Sequence, residues 1–139
     1  MAVQLNPYLS FRDNARAALE FYQSVFGGEL TISTFGDLGM QVEESEVGNV
    51  MHGMLIGDNG IVMMGADTPA HMELATGSSI SVSLSGDDAD LLTGYWTALS
   101  ADGSVTVPLD KAPWGDSFGM CTDSFGTDWL VNISGTPEG

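Results

Sequence analysis

Internal repetition constrains this chain more than any other feature. The stretch LSFRDNARAALEFY (residues 9–22) overlies VSLSGDDADLLTGY (residues 82–95) at a constant offset of 73. Apolar-Ser-apolar meets apolar-Ser-apolar, an Asp or Asn suited to a helix cap follows in each, Leu19 falls on Leu92 and Tyr22 on Tyr95. Further along, HGMLIGDNGIVMM (residues 52–64) overlies FGMCTDSFGTDWL (residues 118–130) at an offset of 66, which puts Gly53-Met54 on Gly119-Met120 and Gly60 on Gly126. Two matches in the same order along both halves mark a tandem duplication, so the fold must be built from two copies of one unit.

Each half gives the same secondary-structure reading. VQLNPYLSF is strand-like and ends near Asp13, a residue suited to cap a helix. Ala15, Ala18, Leu19, Tyr22 and Phe26 recur at helical spacing, and Gly27-Gly28 stops the helix. ELTISTF alternates as a strand, while NVMHGMLI and IVMMG flank the turn GDNG as a hairpin. The second half runs strand SISVSLS, helix from Asp87 to about Ala101, strand SVTVPL, then hairpin strands DSFGMCT and DWLVNIS. The expected architecture is α+β, two tandem βαβββ modules (about 1–66 and 78–135) within a single domain spanning 1–139. Two long segments remain, GDLGMQVEESEVG and ADTPAHMELATGS, of a length that in a compact domain is functional or disordered.

Composition excludes several classes of function. Nineteen acidic side chains face three basic ones, Arg12, Arg16 and Lys111, for a formal net charge of −16. Nucleic acid and anionic membrane are repelled by such a surface; a salt-rich habitat or drift on a solvated surface accounts for it equally well. Apolar residues at 43% against 16% charged imply an ordered globular chain. No apolar run approaches the roughly 20 residues of a membrane helix, and MAVQLNPYLSF lacks the basic-then-apolar pattern of a secretory signal, so the cytoplasm is the expected location. With Cys121 alone, neither an internal disulfide nor a cysteine metal cluster can form.

The duplicated pattern resembles the vicinal oxygen chelate superfamily, which includes glyoxalase I, extradiol dioxygenases and bleomycin-resistance proteins. NPYLSFRDNARAALEFYQSVFGGEL, HGML and FGMCTDSFGTDWLVNIS are similar to its PhnB-like branch, across nearly the whole chain. The resemblance implies open mixed sheets curled around a cup, a homodimer, and in catalytic members a divalent metal held by four side chains. The corresponding positions here are Asn6, His52, Ser79 and Asn132. Only His52 is a normal ligand for such a metal; two amides and a hydroxyl are poor ones. That branch often carries a methyltransferase label, but the chain has no S-adenosylmethionine motif, nor a phosphate loop or nucleophile elbow.

His52 reads either as a cup-facing general base or metal ligand, or as a hydrogen-bonded core histidine. Tyr8, Phe35, Met54, Trp114, Phe118 and Met120 would surround the cup, with Asn132 pointing into it. His71 and Glu73 read as a solvated loop, EESE (residues 43–46) as a solvated acidic surface, and Arg12 and Arg16 as one exposed helix face at i, i+4. The expected function is small-molecule binding in an apolar cup with a degenerate metal site and no cofactor. The alternatives are a metal-dependent glyoxalase-type lyase, isomerase or dioxygenase centred on His52, or a resistance protein that sequesters a cationic drug.

Overall fold

A computed structural model describes residues 5–74 and 79–135. The chain divides into two compact units, Met1–Thr76 and Gly77–Gly139. Each has the same order of elements. The first contains β1 (Tyr8–Phe11), α1 (Ala15–Phe26), β2 (Glu29–Thr34), β3 (Val50–Ile56) and β4 (Val62–Asp67). The second contains β5 (Val82–Gly86), α2 (Ala89–Ser100), β6 (Ser104–Lys111), β7 (Ser117–Thr122) and β8 (Asp128–Ile133). The sheets are ordered β1-β4-β3-β2 and β5-β8-β7-β6; β1 runs parallel to β4 and β5 to β8, and the other pairs are antiparallel. This is the expected α+β fold of tandem βαβββ modules.

The helical spacing read from the first half marks the packed face. Ala15, Ala18, Leu19, Tyr22 and Phe26 are the buried residues of α1, and Leu92, Tyr95, Trp96 and Leu99 are those of α2. Full burial of each large apolar side chain contributes about 1.5–3 kcal/mol. The Gly-Met match also has a physical reason. A Cβ at Gly53 would lie 2.4 Å from Cδ1 of Leu19, and one at Gly119 would lie 2.9 Å from Cη2 of Trp96. In both units a strand glycine makes room for a helix side chain.

Helix capping departs from the sequence reading. Asp13 does not cap α1: it takes a positive φ of 67° and accepts from Nδ2 of Asn49 at 2.8 Å. The N-cap residue is Asn14, whose side chain makes no cap hydrogen bond. The capping oxygen comes instead from buried Asp67 at the end of β4. α2 starts at Ala89 rather than at Asp87, and the Asp88 side chain caps it, accepting from the backbone N–H of Leu91 at 3.1 Å. Both first strands begin later than the composition implied, at Tyr8 and Val82; positions 3 and 4 of the expected first strand lie outside the described residues.

The ladders correct the repeat offset for the first strands, while buried Leu19 and Leu92, and Tyr22 and Tyr95, keep it at 73 in the helices. Tyr8 pairs with Met64, and Ser83 pairs with Leu130, 66 residues beyond Met64. The structural counterpart of Tyr8 is therefore Ser83, an offset of 75 rather than 73. A slip of two keeps every side chain on its face, which is why the sequence alignment still looked consistent.

Candidate functional site

Alternation along each strand sends one set of side chains toward the helix and the other to the opposite, open face. In β8, Trp129, Val131 and Ile133 are buried while Asp128, Leu130 and Asn132 are half-buried; in β7, Gly119 and Cys121 are buried while Phe118 and Met120 are half-buried. Strand register then aligns Ser85, Asn132, Phe118 and Asp110 in one row across all four strands of the second sheet. The next row holds Ser83, Leu130, Met120 and Val107. Asn132, which interrupts an apolar strand, thus stands on the open face beside Phe118.

Trp114 joins this face from the loop between β6 and β7. The loop closes through the Ala112 N–H donating to the Asp116 carbonyl at 2.6 Å and the Gly115 N–H donating to the Ala112 carbonyl at 3.0 Å, with Gly115 at φ 99°. The Trp114 ring is 63% exposed and meets Phe118 edge-on, centroids 5.9 Å apart at 69°. Asp116 ties the loop down: Oδ1 accepts from the Gly135 N–H at 2.8 Å and Oδ2 from Nδ2 of Asn132 at 3.1 Å. The Gly135 N–H, then the Asn132 amide and the Trp114 indole, hold its carboxyl below the ordinary carboxylate range, outweighing the opposing desolvation.

In the first sheet, Tyr8, Met64, Met54 and Thr31 form the corresponding row. His52, half-buried, lies two residues from Met54 on the same face, in register with Ser33. The Tyr8 and His52 rings are tilted at 31° with centroids 6.0 Å apart. Each set of expected ligand-contacting residues therefore shares a face within its own unit: Tyr8, His52 and Met54 in one, Trp114, Phe118, Met120 and Asn132 in the other. Phe35 is corrected. At 5% exposure it is core and cannot line a binding face.

The side chains at the expected metal positions are poor ligands for a divalent metal. Asn6 and Ser79 both lie ahead of their strands, and the ladder makes Ser81, not Ser79, the counterpart of Asn6. Among the described residues no group of three His, Cys, Asp or Glu side chains is placed to hold a metal ion. His52 is in register with Ser33 and near the Tyr8 ring, and neither group offsets the dehydration of a divalent cation. The residues present do not fit the superfamily's metal.

The two long loops of the first unit meet each other. They border a broad, open cleft of about 720 Å³ lined by Met40, Val42, Glu43, Glu44, Ala70 and His71. None of these residues stands on the sheet, and the cleft offers a ligand little enclosure, so the aromatic open faces are the stronger candidates. The acidic run that borders it is not wholly solvated. Glu46 is buried at the end of the 3₁₀ turn Glu44–Glu46, its Oε2 accepting from the Ala70 N–H at 2.9 Å and its Oε1 without a partner among the described residues. Arg12 lies outside α1 and donates to the Met72 carbonyl, so it shares no helix face with Arg16.

Reasoning from sequence missed Asp116, Asp110 and Ser85. The signal for Asp116 was in the text, an acid two residues after Trp114 in APWGDSFG, but its bond to Asn132 spans 16 residues and only folding reveals it. No helix among the described residues is long and apolar enough to cross a membrane.

Comparison with known proteins agrees with this architecture. Protein PA1353 from Pseudomonas aeruginosa is 32% identical, with a TM-score of 0.87 over 97% of this chain and 100% of that one. The PhnB protein from Bacillus cereus has the same fold, at 22% identity and a TM-score of 0.75 over 95% of this chain and 100% of its own. Protein YjdN of Escherichia coli strain K12 is 27% identical over 93% of this chain and 94% of its own. A sequence model of the glyoxalase/bleomycin resistance protein/dioxygenase superfamily matches residues 4–131, and the chain belongs to that superfamily.

Proposed function

We propose that this protein binds a small organic molecule on the open faces of its sheets and uses no metal. The observation that carries the reading is Trp114, exposed yet anchored, edge-on to Phe118, which stands in register with Asn132. A large aromatic ring held in water by a closed loop and a three-donor carboxylate is an ordered contact surface at little further entropic cost on binding. Tyr8 and His52 supply the same mixture of ring and polar group on the first open face. On this reading His52 is a polar contact for ligand and not the ligand of a catalytic metal.

The protein acts as a homodimer in this proposal. Support comes from edge strand β6, where Val105 is 49% and Val107 36% exposed, apolar surface and unpaired backbone of the kind that chains cover by association. Sedimentation velocity tests this directly: a single species of twice the chain mass is expected, and a monomer at all concentrations would contradict it.

The functional reading is tested by thermal stabilisation with a small-molecule library, in chelator and in its absence. Compounds that raise the melting temperature of the wild-type protein equally in both conditions, and fail to do so for Trp114→Ala, are the expected result. Stabilisation that requires a divalent metal and disappears in His52→Ala would favour metal-dependent glyoxalase-type chemistry instead.

A further inference from the structure

The open face of the second sheet presents anionic and aromatic groups together and no cation. Asp110 stands in the same cross-strand row as Phe118 and Asn132, and Asp116 bonds the Asn132 amide. A carboxylate only accepts hydrogen bonds, so this contact turns the NH₂ of Asn132 toward Asp116 and its carbonyl oxygen away. The second unit contains a single basic residue, Lys111, and no histidine. Lys111 pairs with Ser117, which pairs with Ile133, so strand alternation puts Lys111 on the helix side of the sheet and Asp110 on the open side. Neither carboxylate therefore has a cationic strand residue beside it on this face.

An exposed indole face attracts cations through its quadrupole, by roughly 0.5–2 kcal/mol depending on desolvation. Carboxylates beside it add attraction for a positive ligand and repel an anion. A neutral apolar ligand would be held by the rings alone and would gain nothing from Asp110.

We propose that the open face around Trp114, Phe118, Asp110 and Asn132 takes an organic ammonium ion carrying an aromatic or aliphatic body. This rests on the small-molecule reading above and names the chemical class of ligand at one of its faces. Benzyltrimethylammonium is a suitable probe, with benzyl alcohol and phenylacetate as neutral and anionic counterparts of similar size. Isothermal titration at low salt is expected to give the cation at least about tenfold tighter binding than the alcohol, the ratio that about 1.4 kcal/mol produces. Phenylacetate should not bind.

Asp110→Asn should weaken the cation severalfold while leaving benzyl alcohol unchanged, and Trp114→Ala should abolish binding of both. Asp116→Asn is a second arm: its amide oxygen can still accept from the Gly135 N–H while its NH₂ faces the Asn132 amide and the charge is gone, and it too should weaken the cation more than the alcohol. Glu20→Gln with Asp90→Asn, exposed acids on the two helices, should leave the cation's affinity unchanged and so separates a local site from diffuse attraction by the −16 charge. Equal affinity for cation and alcohol, or equal weakening by the helix variants, would overturn the ammonium proposal. Trp114-dependent binding of a neutral compound alone would also overturn it while leaving the small-molecule reading in place. No binding of any compound by this face would remove both.

Discussion

The backbone N–H of Ala15 at the start of α1 donates to Oδ1 of Asp67, 52 residues further on, at 2.9 Å. The other oxygen of Asp67 accepts from the N–H of Val50, also at 2.9 Å. One buried carboxylate thus joins the helix, β3 and β4, and satisfies two N–H groups that have no access to water. Asp67→Ala would leave both unpaired and is expected to cost about 2–4 kcal/mol. Asp67→Asn, which turns an NH₂ toward one donor, should cost about 1–3 kcal/mol. Urea denaturation with unchanged m-value checks both; a loss below 0.5 kcal/mol, a margin within ordinary surface-substitution effects, would mean the cap is dispensable.

The paired glycines make a sharper comparison. Gly53→Ala and Gly119→Ala push a methyl into Leu19 and into Trp96 with the Leu109 backbone, and each should destabilise by about 1–3 kcal/mol. Gly94 in α2 has nothing within 4 Å of an added Cβ, so Gly94→Ala should stabilise by about 0.5–1 kcal/mol. Melting temperatures that move the same way for all three would contradict the packing argument.

These cases show what was legible in the sequence. Helical spacing from Ala15 to Phe26 identified the buried face residue by residue, because helix periodicity is a local property. The glycine match at offset 66 was legible because both glycines meet the same steric demand. Asp13 looked like the cap because nearby residues are all that a linear reading can weigh, whereas Asp67 reaches α1 only after β4 has paired with β1. Asp116 and Glu46 were hidden for the same reason: their partners lie many residues away. The open faces themselves were largely legible, since alternation in β7 and β8 separates Phe118, Met120 and Asn132 from Cys121 and Trp129 without any long-range information.

Cys121 should be inert in the folded protein. Burial, and then the charges of Asp123 and Asp128, push its thiol up to about 11 from an ordinary 9.0. Thiol reagents at pH 8 should modify it only after denaturant is added. Because the folded state holds the proton more tightly than the unfolded state, this contribution to stability is fully present below about pH 9 and is lost as pH rises toward 11. Wild-type protein should lose stability more steeply than Cys121→Ala across that window in denaturant titrations; parallel curves would contradict the shift.

Nineteen acids against three bases make self-repulsion a cost of the compact state. The melting temperature should rise as sodium chloride increases from about 0.01 to 1 M, where the screening length falls from roughly 30 to 3 Å. A melting temperature independent of salt would show that the charges are spaced widely enough not to matter.

Methionine methyl NMR tests the central claim most directly. The chain has eight methionines. Met120 stands on the open face next to the row of Phe118 and Asn132, whereas Met63 is 2% exposed in the core and Met40 and Met72 belong to the loops. In a titration of ¹³C-methyl-methionine protein with benzyltrimethylammonium, or with any compound from the thermal screen that stabilises the protein, the Met120 methyl and the Trp114 indole signal should shift together. Met63 should stay in place. Shifts confined to Met40 and Met72, with Met120 and Trp114 unmoved, would put the ligand in the loop cleft and contradict binding on the open face of the second sheet.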